Sequence, residues 1–376
     1  MSGLSLPLGI LEYVLPFLVM LVIIVFVHEY GHYKAARLCG VTVETFSIGF
    51  GREIWHRIDR HGTRWRIAAI PLGGYVKFLG DADAASAADH AAYDRLSPEQ
   101  RKRTLQGAPL KHRAAIVAAG PAANFLLAFL LFSGDAYVNG TRAVGTIAGD
   151  ILSGSAAEQA GLRVGDRIVA IDGTEIMRFD DLRRIVADRP GDPLSLSIER
   201  DGRVMAFTVT PQARRAPGFF SERTIGMVGL RPAATEANIV RTEYSSVESL
   251  VYGVAHTGRL IRDNVAGFAM LLIGAGSMED LAGPFTLAQL SGDTLREGIG
   301  TFIRFVAVIS VAIGFVNLLP VPILDGGHLM FHAMEAVRGK PIGEKAQELS
   351  FRIGFAIIMG LMALGIASDI LRKFPI

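Results

Sequence analysis

Residues 14–32 read Val14-Leu-Pro-Phe-Leu-Val-Met-Leu-Val-Ile-Ile-Val-Phe-Val27-His28-Glu29-Tyr30-Gly31-His32. An unbroken apolar run leads straight into two histidines and a glutamate. A helix crossing roughly 30 Å of hydrocarbon needs about 20 apolar residues, and this run reaches that length with its mildly polar flanks. A helix entering near Leu11 arrives at His28 about 25 Å further on, at 1.5 Å per residue. The histidines are therefore expected inside the membrane, towards the far face, where ionisable groups are costly and usually functional. Residues 1–13 carry no Lys or Arg and no small-residue cleavage site follows, so the run reads as a span, not a signal peptide.

Three further runs share this character: Ala114–Phe132, polar only at Asn124; Phe305–Leu319, interrupted by Ser310, Gly314 and Asn317; and Ile353–Ala367. Of the 376 residues, 50% are hydrophobic and 20% charged, with a mean hydropathy of +0.36. A soluble domain of this size normally carries more charge, so lipid takes the apolar excess. The single cysteine, Cys39, excludes a disulfide framework and a cysteine-built zinc cluster. A net charge of +2 offers no basic face for nucleic acid.

Charge also sets direction. Residues 33–113 hold 14 Lys and Arg against 8 acids, whereas residues 134–300 hold 17 Arg against 21 acids. The positive-inside rule makes the first of these segments cytoplasmic and leaves both termini and residues 134–300 outside. The expected fold is a polytopic α-helical membrane protein with four transmembrane helices and an inserted α+β domain. The spans are expected at 1–38, 114–133, 302–328 and 351–370, with cytoplasmic loops at 39–113 and 329–350. Between the second and third spans lie a soluble module, 134–232, and an amphipathic extracytoplasmic segment, 233–301.

The module shows short strands at Gly145–Ile147, Arg167–Ile171, Leu194–Glu199 and Val204–Val209, punctuated by Asp172-Gly173 and Asp201-Gly202, with a further strand near Ile225–Leu230. Helical spacing covers Ala156–Ala160 and Asp180–Ala187. The stretch from Ser155 to Gly173 resembles the PDZ domains of bacterial envelope proteases, which take an extended peptide as an added strand. Use as a spacer or steric filter without a peptide stands beside that reading. Ala82–Ala92, rich in Ala and Asp, reads as a mobile loop.

The chemistry sits at the end of the first run. Positions i and i+4 share a helix face, so His28 and His32 can take one metal ion together. Glu29 stands beside them where a base for an attacking water is needed. Two histidines leave a zinc site short of a ligand. The third span runs in the same direction and ends in Asn317-Leu-Leu-Pro320-Val-Pro322-Ile-Leu-Asp325-Gly326, which brings Asp325 to the same depth after two helix-breaking prolines. An N-cap or an Asp-Gly turn is the other reading of Asp325. His328 and His332 repeat the i, i+4 spacing, but one ligand from this stretch suffices.

The HExxH in a first span, the NxxPxPxLDG in a third and a PDZ-like module between the second and third together resemble the site-2 protease family of intramembrane zinc metalloproteases. The resemblance runs over nearly the whole chain. It implies one zinc ion per chain on His28, His32 and Asp325, with Glu29 as catalytic base. Asn317, Pro320 and Pro322 fall on the other marked positions of the second motif. Gly120-Pro-Ala-Ala-Asn124 also matches, which puts Asn124 near the substrate or metal. Ile70-Pro-Leu-Gly73-Gly74-Tyr75-Val-Lys-Phe-Leu-Gly80 is similar to the family's membrane-re-entrant β element, here about 64–80, which holds an unwound substrate as an added strand. A cytoplasmic hairpin packed on the loop is the alternative. The implied setting is a bacterial inner membrane, and the implied substrates are single-span proteins of the anti-sigma-factor type and remnant signal peptides. Family members often carry two tandem PDZ domains, whereas this chain has room for one. Residues 256–297, including Leu281-Ala-Gly-Pro284, resemble the family's amphipathic segment; Glu279 and Asp280 there receive no role.

Two rivals differ in chemistry. A catalytically silent scaffold that binds envelope peptides through its PDZ domain has no need of Glu29 between its histidines. A zinc carrier needs ionisable residues along a path through several spans, yet only Glu29 and Asp325 are acids at membrane depth.

Overall fold

The N-terminal run folds into one long helix, α1 (Ser5–Leu38), which carries His28, Glu29 and His32 in its last third. Leu11, Leu15, Val19 and Ile23 form an exposed stripe at four-residue spacing, while Met20 and Ile24 are fully buried. One face thus suits lipid and the other suits neighbouring helices. The computed structural model describes residues 5–81, 93, 95–216, 223–273 and 283–373. The chain divides into two compact units, one built from residues 1–135, 249–265 and 277–376, the other from 136–248 and 266–276. Ala82–Ala92 and the segment with Glu279, Asp280 and Leu281 lie outside the described residues.

After α1 the chain forms an antiparallel hairpin of β1 (Val43–Ile58) and β2 (Arg64–Phe78). The element expected at 64–80 is therefore only half of it; its partner strand, Val43–Ile58, lacks a clean apolar alternation that would mark it in the sequence. Asp59 builds the turn, accepting from the His61 and Thr63 backbone N–H groups at 2.8 and 3.0 Å. Both strands bend, so Thr45, Phe46, Ser47 and Ile48 each have two partners. Lys77, Val76, Tyr75 and Gly74 lie on one side, and Arg64, Trp65, Arg66 and Ile67 on the other. The hairpin docks through Val43, Phe46, Val76 and Phe78 onto Tyr33 and Ala36 of α1 and onto Ile116. Ile116 lies on α2 (Leu110–Asn139), the second long apolar helix.

The second unit contains β3 (Thr141–Val144), β4 (Ala148–Ile151), α3 (Ala156–Gln159), β5 (Arg167–Ile171), β6 (Thr174–Glu175), α4 (Phe179–Ala187), β7 (Leu194–Arg200), β8 (Arg203–Val209), β9 (Gln212–Ala216), β10 (Arg223–Met227), β11 (Leu230–Pro232) and β12 (Ile239–Thr242). A sheet of order β6-β5-β7-β8 is flanked by the pairs β9–β10, β4–β11 and β3–β12. Ile168, Ile171, Leu182, Leu194, Leu196, Ile198 and Val209 form its core. The strand expected at Gly145–Ile147 is instead a link between β3 and β4. Asn238, almost fully buried, takes over its backbone: its carbonyl accepts from Gly145 N–H at 2.6 Å and its Oδ1 from Ile147 N–H at 3.0 Å.

The first unit resumes with Ser249–Val265 of α5 (Ser246–Leu272), then α6 (Pro284–Glu297), α7 (Ile299–Asn317), α8 (Asp325–Arg338) and α9 (Glu344–Lys373). Phe302 and Val306 of α7 pack on Met20 and Ile24, and Ala307 and Val311 pack on Ala128 and Phe132. Among the described residues, four helices are long and apolar enough to cross a membrane: Leu11–Leu38, Leu110–Asn139, Ile299–Asn317 and Lys345–Ile370. The helix expected at 302–328 ends at Asn317, because Pro320 and Pro322 lack the N–H that a continuing helix requires and disfavour helical backbone before them. The chain turns through 318–324 and a separate helix starts at Asp325.

Candidate metal centre

Helical spacing puts His28 and His32 on one side of α1, with their Nε2 atoms 3.2 Å apart. The turn after α7 presents Asp325 to both rings. Its Oδ2 lies 3.0 Å from His28 Nε2 and its Oδ1 3.4 Å from His32 Nε2. One donor atom from each residue falls within 4.8 Å of the others. Among the described residues this is the one group of three or more such donors. Leu324, not Asp325, occupies the N-cap position of α8, so the carboxylate is turned to the histidines and does not cap the helix.

The third wall comes from α2. The Ile116 carbonyl accepts from His32 Nδ1–H at 2.9 Å, which fixes the ring and leaves Nε2 as a lone pair facing the site. Asn124, fully buried, lies 3.3 Å from His28 Nδ1. Between them stands Gly120: a Cβ there would run into both imidazole Nε2 atoms, so only glycine lets α2 approach this closely.

The donor set fits a cation. With Nε2 of His28 unprotonated, Asp325 Oδ2 has no donor although it lies 3.0 Å from that nitrogen, and Asn124 Oδ1 is buried without a hydrogen-bond partner; leaving such atoms unsatisfied is expensive. A cation at the histidine nitrogens offsets the first. Turning over the Asn124 amide lets its Oδ1 accept Nδ1–H from His28, the tautomer that frees Nε2 for a metal. Two imidazole nitrogens and a carboxylate suit zinc, whose catalytic sites keep three protein ligands and one open position.

A cleft of about 1520 Å³ opens on this group. Glu29, Gly73, Gly74, Tyr75 and Asn317 line it with His28, His32 and Asp325. Gly74 brings β2 against α1, since a Cβ there would stand 2.9 Å from Glu29 Cγ and 2.8 Å from the Ser47 carbonyl oxygen. Pro320 and Pro322 lie outside the lining, in the turn that aims Asp325; Pro322 packs where Gly327 leaves no room for a Cβ. His328 lines the cleft with its ring centroid 5.5 Å from that of Phe351. Sequence reasoning quoted Gly120 only as the start of a matching stretch, without a role, and missed Ile116 and the pair Arg113–Glu335 further along the cleft. Gly120 had a signal, four residues before Asn124 on one helix face; a backbone carbonyl such as that of Ile116 has none.

The sequence matches the model of peptidase family M50 over residues 16–361. A protein of Agrobacterium fabrum named as a zinc metalloprotease is 44% identical over 359 residues, covering 95% of each chain. The metalloprotease MmpA of Caulobacter vibrioides is 36% identical, covering 97% of each. The regulator of sigma-E protease RseP of Salmonella typhimurium is 31% identical over 460 residues, covering 97% of this chain and all of that one.

Proposed function

The chain belongs to peptidase family M50 and is a zinc metalloendopeptidase; on that premise we propose that it cuts transmembrane segments of single-span membrane proteins inside the bilayer. The observation that carries this reading is the convergence of His28, His32 and Asp325 from helices apolar enough to cross a membrane and from the turn that follows one of them. His28 Nε2, His32 Nε2 and the Asp325 carboxylate would hold the zinc. Bound there, zinc supplies a Lewis acid that polarises a peptide carbonyl and brings the pKa of a water to about 7. Glu29 takes a proton from the attacking water and delivers it to the leaving nitrogen as the C–N bond breaks.

A helix hides its peptide bonds, so a transmembrane substrate has to be extended before it is cut. Gly74–Phe78 pairs with Val43–Ile48 on one edge, and at Gly74 it approaches Val25 and Glu29 of α1. A strand added along this segment would lie beside Glu29 and in the cleft. In this reading the hairpin re-enters the membrane, and the 39–113 segment and the cleft face the cytoplasm. Both termini and the β-rich unit lie outside an inner bacterial membrane. The unit is a single PDZ-type domain that senses or excludes bulky ectodomains. Its singleness accords with an alignment to the Salmonella protein that runs over more positions than this chain has residues. Candidate substrates are an anti-sigma-factor type of protein and remnant signal peptides.

The test incubates purified full-length protein in detergent with a single-span substrate. Glu29→Gln is expected to lower turnover by about 10²–10⁴-fold with zinc still bound, and a chelator to abolish cleavage reversibly. Cleavage by Glu29→Gln at the wild-type rate would sink the mechanism.

A further inference from the structure

Further along the cleft from the metal ligands, an ordered polar contact joins two helices. Arg113 near the start of α2 and Glu335 near the end of α8 form a two-pronged ion pair, Nη1 to Oε2 at 2.9 Å and Nη2 to Oε1 at 2.5 Å. Both side chains are largely buried, at 18% and 16% exposure, and both line the cleft. The partners are 222 residues apart in sequence. Bidentate Arg–carboxylate pairing fixes orientation as well as distance.

The position of the pair gives it a consequence. On α2 the residues facing the site recur at helical spacing: Arg113, Ile116, Gly120 and Asn124. On α8 the cleft-lining residues do the same: Asp325, His328, Phe331, His332 and Glu335. Asp325 and Glu335 are about 15 Å apart along their helix, and Arg113 and Asn124 about 16 Å along theirs, at 1.5 Å per residue. The two stripes therefore close at both ends, at the histidines through Asp325 and at Arg113 through Glu335. α8 follows a turn broken by two prolines, so its direction is not inherited from α7.

We propose that Arg113 and Glu335 are positioning residues for the metal centre: the ion pair sets the rotation and tilt of α8 and so aims the Asp325 carboxylate at His28 and His32. Neither residue touches the metal donors. This inference rests on Asp325 being a zinc ligand.

The experiment measures zinc retained by the full-length protein in detergent across a chelator series, for wild type, Arg113→Gln, Glu335→Gln, the swap Arg113→Glu/Glu335→Arg, and Asp325→Ala. Circular dichroism and size-exclusion profiles accompany each. Each single substitution is expected to release zinc at about tenfold lower chelator strength, the lower end of the loss seen when a group supporting a ligand is removed. The swap is expected to recover most of that loss, because it restores the pair with its sign reversed, which a general loss of folding would not allow. Singles that hold zinc as wild type does, or a swap no better than the singles, overturn the proposal. Asp325→Ala separates the two levels. If it holds zinc normally, the ligand assignment fails; if it loses zinc while the Arg113 and Glu335 singles keep it, only the positioning role fails.

Discussion

His28 is held from behind. Its Nδ1 meets Asn124 in a fully buried position, so Asn124 governs which nitrogen carries the proton. Asn124→Leu keeps the volume and removes that control, and the expected result is a loss of zinc affinity of about 10–100-fold, read by chelator competition. Gly120→Ala places a methyl group against both Nε2 atoms and is expected to leave the protein helical but with little bound zinc, read by metal analysis of the purified protein. At this scale the sequence was most informative where the chemistry is local. His28 and His32 are four residues apart with Glu29 beside the first, and one helix turn brings the three together whatever the rest of the chain does. Asp325 was legible from span direction and the motif around it, while Ile116 was not, because every residue but its neighbours could have offered the same carbonyl.

Among the elements, the hairpin is the one that the proposed mechanism has meeting the substrate beside Glu29. Gly74 is a contact point between β2 and α1, tight against Glu29 Cγ. Gly74→Ala is expected to displace Glu29 by a fraction of an ångström to an ångström, and misplacement of that order costs about 10²-fold in rate. Turnover of a single-span substrate should fall by that order with zinc content unchanged; an unchanged kcat would show that the segment does not position the base. The glycines and alternating apolar residues of 70–80 were readable as β structure. The partner strand was not, because Phe50, Ile54, Trp55 and Ile58 are all exposed and follow no one-faced alternation. The same limit applied to the third span. Its apolar run marked a helix, but only the prolines determined that it stops at Asn317 and that a new helix starts at Asp325.

For the whole molecule, the charge split makes a prediction that Cys39, the one cysteine, can report. A membrane-impermeant thiol reagent is expected to label Cys39 in inverted vesicles and not in spheroplasts, and to label an exposed Ser153→Cys in a Cys39→Ser background from the opposite side. Reversed labelling would overturn the orientation. The β-rich unit has its own core, so residues 136–248 are expected to unfold cooperatively when expressed alone. Burial would raise the Asp166 carboxyl, but two hydrogen bonds from Arg200, at 2.6 and 2.7 Å, and one from Arg163 N–H together hold it below the usual carboxylate range. A depressed carboxylate stabilises the fold above its unfolded pKa of about 3.9, and the stabilisation is lost as pH falls through the lower folded value. Acid unfolding monitored by circular dichroism should therefore steepen below about pH 4, and Asp166→Asn should flatten that limb.

Local order and solvent preference were written in the sequence itself. Apolar runs dictated four long helices because backbone groups in lipid must bond within their own segment, and a four-residue spacing dictated a two-histidine face on the first of them. Family membership followed from the motifs those segments carry. What the tertiary structure alone decided is the packing that completes the convergence: how closely Asp325 approaches the histidines across 293 residues of chain, that Gly120 opens the space for it, and that Arg113 finds Glu335. These depend on how helices with nearly featureless apolar surfaces choose their neighbours. That choice is made by small residues, buried polar contacts and close packing summed over the whole bundle, and no single stretch of sequence contains it.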